Sequence, residues 1–364
     1  MRQQAKFIAL LIFILMFTAC GQNQNIRIGF VGTLSGPNSI VGISMRDGIL
    51  LKVDEVNAAG GINGQQIELL IQDDLNDADK IKSINETFIQ DGIDIIFGHE
   101  LSSKAKPLFE VIKDKELIVM SPTLSTYELS GIDDNFFRTI PSNYDQGTEL
   151  GNLANLESKK TLFIYTNANK KFADGVNEGY ADSFSGSTEE YPVKTNIVDE
   201  AEAIVDIYKS GNFDSVMYVM NPDDVMYMSQ MFFKHQIDTE IYSSNWGMAV
   251  NMLDKGGRAI EGATFVSFMG NLDGPRYLSF RDAYYEKYQK EPEFAAVYAY
   301  EAASFLFEAL KESDSLGYLD IKSSLLNLGE QEGLVSPLKL DEFGDIKRKL
   351  FLAVVEDGKL VILE

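Results

Sequence analysis

"IRIGFVG", residues 26–32, is a short, largely apolar run that closes on glycine. A run of this kind, bounded by turn residues, reads as a buried strand. The period then changes. Met45, Ile49, Val53 and Val56 share one helical face, and the segment stops at "AAGG" (58–61), where Gly60 suits a C-terminal cap. "QQIELLIQDD" (65–74) is short and apolar again. Strand, helix and strand in that order make one unit of a parallel α/β layer.

The same alternation continues after this unit. "IDIIFG" (93–98) and "ELIVMSP" (116–122) add two strands, so four strands with helical crossovers form a first layer by about residue 140. The pattern then restarts. "TLFIYTN" (161–167), "EYPVKTN" (190–196), "DSVMYVMN" (214–221) and "TEIYSSN" (239–245) read as strands, with helices at 173–185, 199–210 and 223–235. After "ATFVSF" (263–268) come two long helical patterns, near 276–289 and 294–312. "KLFLAVVEDGKLVILE" (349–364) reads as a β-hairpin turning at Asp357-Gly358. Two such units imply two lobes with a cleft between them.

In open α/β sheets, ligands bind beyond the carboxyl ends of the strands. Four polar strand ends are therefore candidates: "GHELSS" (98–103), "SPTLST" (121–126), "VMNPDD" (219–224) and "SSNW" (243–246). Ser102 opens a helix-patterned segment. As a plain N-cap its hydroxyl would accept a backbone N–H. As part of an anion site, the free N–H groups of the helix start would hold a negative ligand group. Trp246, the single tryptophan, stands where an aromatic wall of a small-molecule site would be. The methionines at 217, 220, 226, 228 and 231 read as core packing.

The charge balance is 32 basic against 55 acidic residues, a net −23. Such a surface repels phosphate backbones, so nucleic acid is not an expected partner. Residues 1–20 read "MRQQAKFIALLIFILMFTAC", with Arg2 and Lys6 ahead of an eleven-residue apolar run from Phe7 to Phe17. The run is too short for a membrane span and suits a signal peptide over 1–19. Thr18 and Ala19 precede Cys20, which resembles a bacterial lipobox in which the cysteine is lipidated. An ordinary secretory signal with an unmodified cysteine is the alternative. Residues 20–25 would be the lipidated cysteine and a polar tether. No second cysteine is there for a disulfide, so the fold rests on its core.

Enzyme constellations are missing. There is no G-x-S-x-G elbow, no phosphate-binding G-x-x-x-x-G-K loop, no G-x-G-x-x-G after a strand and no zinc-type Cys/His set. His99 and His235 are the only histidines, and His99 reads as a structural residue without an evident partner acid. "QDDLNDADK" (72–80) lacks the glycine of a calcium loop and reads as a strand exit followed by an acidic helix start. No cofactor and no metal are expected.

Residues 26–74 resemble the start of the leucine/isoleucine/valine-binding family of periplasmic binding proteins. The resemblance continues through "IDIIFGHELSS" (93–103), "LIVMSPTLSTYEL" (117–129), "FRTIPSNYDQG" (137–147), "GGRAIEG" (256–262) and "LDEFGDIKRKLFLAV" (340–354). It implies the type I fold: two Rossmann-like parallel-sheet lobes joined by three hinge crossings, here near 141, 268 and 348. Lobe 1 would be 26–141 plus 269–348, and lobe 2 would be 142–268 plus 349–364. It implies a non-enzymatic, monomeric binding protein that passes a small molecule to a membrane ABC permease and its ATPase, held to the membrane only by its lipid anchor. A sensory protein of the same fold, feeding a signalling partner, is the alternative.

By the same resemblance, Ser102 would bind a ligand carboxylate, with Thr123 and Ser125 adding backbone and hydroxyl contacts. Phe172, Asn221, Asn245 and Trp246 would close over the ligand from the second lobe. Val41, Ser103 and Asp223 are further candidates. Phe172, Asn221 and Val41 stand where family members carry tyrosines. Asn245 stands where they carry the acid that pairs with a ligand ammonium. Two ligand classes stay open: an amino acid whose ammonium meets another acid such as Asp223 or Asp224, or a carboxylate or amide without a basic amine.

Overall fold

The computed structural model describes residues 25–36, 39–248, 252–270 and 272–363. The leader, Cys20 and the tether up to residue 24 lie outside them.

The first sheet contains β1 (Ile26–Gly32), β2 (Ile67–Asp73), β3 (Ile95–Phe97), β4 (Ile118–Ser121) and β5 (Phe136–Arg138), all parallel, in the order β2-β1-β3-β4-β5. The sequence reading found four of these strands; β5 is three residues long, too short for a period to show. Helices α1 (Ser39–Ala58), α2 (Ala78–Gln90) and α3 (Ala105–Ile112) are the crossovers. Alternate strand residues face opposite sides. Ile28, Phe30, Phe97 and Met120 pack with α1, while Val31, Ile96 and Val119 pack with α2 and α3. Met45, Ile49, Val53 and Val56 are buried together as their spacing implies.

The second sheet has seven strands. These are β6 (Lys160–Thr166), β7 (Ser187–Val193), β8 (Ser215–Val219), β9 (Glu240–Ser243), β10 (Thr264–Ser267), and the hairpin β13 (Phe351–Glu356) and β14 (Lys359–Leu363). The order is β14-β13-β10-β9-β8-β6-β7, and only β13 runs against the other strands. β7 lies several residues earlier than "EYPVKTN" suggests, because it pairs in register with the whole of β6. Helices α4 (Asn143–Ala154) and α5 (Lys170–Ser183) cover one face. Helices α6 (Ile197–Gly211) and α7 (Pro222–Lys234) cover the other. The five methionines at 217–231 are all buried in these two layers. Asp357 and Gly358 both have positive φ, 50° and 67°, the geometry a two-residue hairpin needs.

Helix α8 (Met252–Gly256) lies between β9 and β10, and between β10 and β13 come α9 (Pro275–Tyr288), α10 (Phe294–Glu312), α11 (Tyr318–Asn327) and a small ladder of β11 (Lys339–Leu340) with β12 (Ile346–Lys347). α10 and α11 return to the first sheet, where Ala299, Ala302, Leu306 and Leu325 join the core under α1. The architecture is two α/β lobes, each with a parallel sheet covered on both faces. Among the described residues no helix is long and apolar enough to cross a membrane.

Candidate functional site

The carboxyl ends of β3 and β4 form one wall. Gly98, just after β3, has φ +143°, and a Cβ there would meet the Val31 carbonyl oxygen at 2.4 Å, so only glycine fits. The chain then turns through Ser102–Lys104 into α3. Ser102 is not the cap. Leu101 holds that position without a side-chain bond, and the Ser102 hydroxyl is buried with no partner. The loop after β4 is fastened to this turn: Ser121 Oγ donates to the His99 carbonyl at 2.8 Å and Thr123 Oγ1 donates to the Glu100 carbonyl at 3.0 Å. Ser125 is buried beside them.

The facing wall comes from the second lobe. Phe172 lies in the first turn of α5, and Trp246 follows β9; their rings meet edge to face at 5.9 Å and 85°. The Asn245 backbone N–H donates to Gln146 Oε1 at 3.1 Å, which fixes the turn after β9. Across the gap, the Ser103 backbone N–H donates to Asn169 Oδ1 at 3.1 Å, and Lys171 Nζ reaches Glu128 Oε1 at 2.6 Å. The walls enclose a cavity of about 40 Å³, so the lobes stand close together.

This cavity is lined by Val41, Ser102, Thr123, Ser125, Phe172, Asn245 and Trp246. Three expected residues act elsewhere. Asn221 caps α7, its Oδ1 accepting the Asp224 N–H at 3.0 Å. Asp223 is exposed and paired with Lys255 Nζ at 2.8 Å. Ser103 offers its backbone, and its side chain is exposed. Asp224 is held by the Asn221 amide at 2.8 Å, so neither aspartate lines the cavity. The reason is local: both sit in the first turn of α7, where a negative side chain is favoured by the positive end of the helix dipole.

Sequence reasoning missed Glu100, Leu101, Ile140, Asn169 and Phe294, which complete the lining. Glu100 lies within the strand end "GHELSS", near the serine that the sequence marks as a candidate. Under this wall lies a cluster of buried charges. Lys104 Nζ donates to Asp74 Oδ2 at 2.6 Å, to Thr33 Oγ1 at 2.7 Å and to Glu100 Oε1. His99 does have an acid partner, 25 residues away in sequence: its Nδ1 lies 3.2 Å from Asp74 Oδ2. Asn85 Nδ2 donates to the Ile81 carbonyl at 2.7 Å and faces His99 Nε2 at 3.1 Å, so His99 carries its proton on Nδ1. Burial pushes the Asp74 carboxyl up, but the His99 hydrogen bond and the Lys104 ammonium outweigh it and hold it well below the ordinary carboxylate range. The acidic stretch at 72–80 thus divides: Asp77 caps α2, while Asp74 belongs to this cluster. Asp74, His99 and Glu100 are spaced as metal ligands, but the Lys104 ammonium already stands among them.

Two other hollows are present. One of about 550 Å³ is lined by Lys52, Arg276, Tyr300 and Glu308 and shares no residue with the cleft cavity. A mostly apolar one of about 250 Å³ adjoins the cleft, sharing Asn245 and Phe294 with it.

Residues 25–359 match the family described as periplasmic binding protein. The Leu/Ile/Val-binding protein homolog 1 of Brucella melitensis biotype 1 is 25% identical over 338 residues, covering 89% of this chain and 88% of that protein. The branched-chain amino acid transporter substrate binding protein LivJ of Streptococcus pneumoniae, solved with isoleucine, superposes with a TM-score of 0.81 at 21% identity, covering 93% of this chain and 99% of that one. An ABC transporter solute binding protein from R. palustris, solved with benzoate, gives 0.80 at 17% identity, covering 93% and 95%. These relatives are binding proteins by name, and the match spans both lobes and the cleft. The chain belongs to the periplasmic binding protein family and is a binding protein, not an enzyme.

Proposed function

We propose that this protein is the extracytoplasmic solute-binding component of an ABC importer. It captures a small amino acid, amide or carboxylate by closing two lobes over it. The observation that carries this reading is the convergence of Ser102, Thr123 and Ser125 from one lobe with Phe172, Asn245 and Trp246 from the other on a single cavity. Lobe 1 is residues 26–141 with 269–348, and lobe 2 is 142–268 with 349–364. The lobes rotate about crossings near 141, 268 and 348. Ser102 donates to the ligand's carboxylate or carbonyl, while the edge-to-face rings of Phe172 and Trp246 cover its apolar part. The adjoining apolar hollow accommodates a longer tail. Cys20 carries the lipid, and the protein delivers its ligand as a monomer to a membrane permease driven by its ATPase. Val41 completes the first-lobe wall.

Thermal melting of the protein, unfolded and refolded to strip carried-over ligand, tests the reading. The panel holds leucine and phenylalanine, their deaminated acids, urea and short amides. A ligand at a hundred times its dissociation constant adds about 2.7 kcal/mol of stability, a readily measured shift. A panel in which nothing shifts the transition overturns the small-molecule reading.

A further inference from the structure

The buried cluster under the first-lobe wall has an unbalanced donor count. Lys104 has three N–H donors, and all three are used: on Asp74 Oδ2, Thr33 Oγ1 and Glu100 Oε1. The Thr33 hydroxyl proton is spent on Asp74 Oδ1 at 2.9 Å, and the Thr33 backbone N–H on Glu100 Oε1 at 3.3 Å. The His99 Nδ1 proton is spent on Asp74 Oδ2. The Asn76 N–H, at 2.9 Å from Asp74 Oδ1, completes that carboxylate. Asp74 is therefore saturated on both oxygens. Glu100 is not: its Oε2 is buried and has no partner, although the residue is only 2% exposed.

Asp74 and Glu100 both draw on the single Lys104 ammonium, whose three donors are already spent. A buried carboxylate oxygen without a donor is costly. The cluster has no donor left to give it. Glu100 also lines the ligand cavity, two residues before Ser102, whose hydroxyl is likewise buried and unpaired.

We infer that Glu100 Oε2 accepts a hydrogen bond from a nitrogen on the ligand, an ammonium by preference, so that the acid missing at Asn245 on the second lobe is replaced by one on the first. This rests on the reading of the cleft as a small-molecule site and narrows it. The ligand carries an acceptor for Ser102 and a nitrogen donor for Glu100, as a zwitterionic amino acid does. Both polar ends are then held by one lobe before closure, and the second lobe adds the aromatic cover. Of the two acids the sequence offered for the amine, Asp223 is on the surface and Asp224 is held by the Asn221 amide.

The experiment compares leucine, 4-methylpentanamide and 4-methylpentanoic acid by calorimetric titration of the stripped protein. Wild type is expected to bind leucine at least ten-fold tighter than the deaminated acid. Glu100→Gln should lose at least ten-fold for leucine while leaving the acid unchanged or improved. Glu100→Asp keeps the charge for Lys104 and shortens the reach, so it should fall between the two, and it keeps the test open should Glu100→Gln melt too low. Tighter wild-type binding of the amide than of leucine would show a neutral donor and overturn the ammonium preference. Equal leucine affinity in wild type and Glu100→Gln would overturn the Glu100 assignment while leaving the cleft intact. If none of the three ligands, nor any member of the wider panel, binds wild type, it is the small-molecule reading itself that falls.

Discussion

The first-lobe wall of the cleft sets Ser102 over a buried cluster of charges that includes Glu100, whereas the second-lobe wall presents the rings of Phe172 and Trp246 and the turn at Asn245. Both walls grow from the same kind of strand end. The difference lies beneath them. On the first lobe, Lys104 ties together residues from three loops, so the wall of the cavity is held from behind. On the second, Phe172 and Trp246 belong to an apolar cluster with Tyr165 and Val176, a surface suited to covering what the first lobe holds. In the proposed function, direction and charge would be read on the first of these walls and closure secured by the second.

The largest expected effect comes from removing the centre of that support. Lys104→Met leaves Asp74 and Glu100 buried without a cation, and breaking a buried pair in this way costs about 3–5 kcal/mol of stability. Urea unfolding measures it; a loss below about 1 kcal/mol would mean that the cluster does not hold the wall. The same cluster sets an acid limit. Asp74 has a folded pKa below its ordinary 3.8, so its contribution is present above that value and is lost as pH falls through and below it. Melting curves from pH 7 down to pH 3 should show this loss in wild type and a smaller one in Lys104→Met.

Ser102→Ala sharpens the contrast between walls at an intermediate scale. Its hydroxyl has no internal partner, so stability should hold while ligand affinity falls by about 1–3 kcal/mol. Unchanged affinity would make Ser102 part of the scaffold.

The smallest effect separates two asparagines at neighbouring strand ends. Asn221→Ala removes a helix cap and should cost about 1 kcal/mol of stability with no change in affinity. Asn245→Ala should weaken ligand binding instead. If the two behave alike, the cavity does not divide the second-lobe wall as described.

Much of this was legible in the residues. The strand "IRIGFVG" and the face of Met45, Ile49, Val53 and Val56 form as their periods require, because burial of one face is written in local spacing. Ser102, Thr123, Ser125, Phe172 and Trp246 lay at strand ends or matched family positions, and they line one cavity. β5 and the short β11–β12 ladder escaped notice because two or three residues carry no period. Glu100 stands four residues before its partner Lys104, but its second partner, the Thr33 N–H, and the other members of the cluster are distant in sequence.

The sequence by itself determined two parallel α/β lobes, the faces of their helices and the strand ends that could meet a ligand, since these follow from the order of apolar and polar residues along a few turns of chain. Only the tertiary structure decided which polar groups reach the cavity and which are already satisfied. Lys104 meets Asp74 30 residues away and Thr33 71 residues away. Whether a carboxylate oxygen is left without a donor depends on the sum of such distant contacts, and a sum over distant contacts has no local period to read.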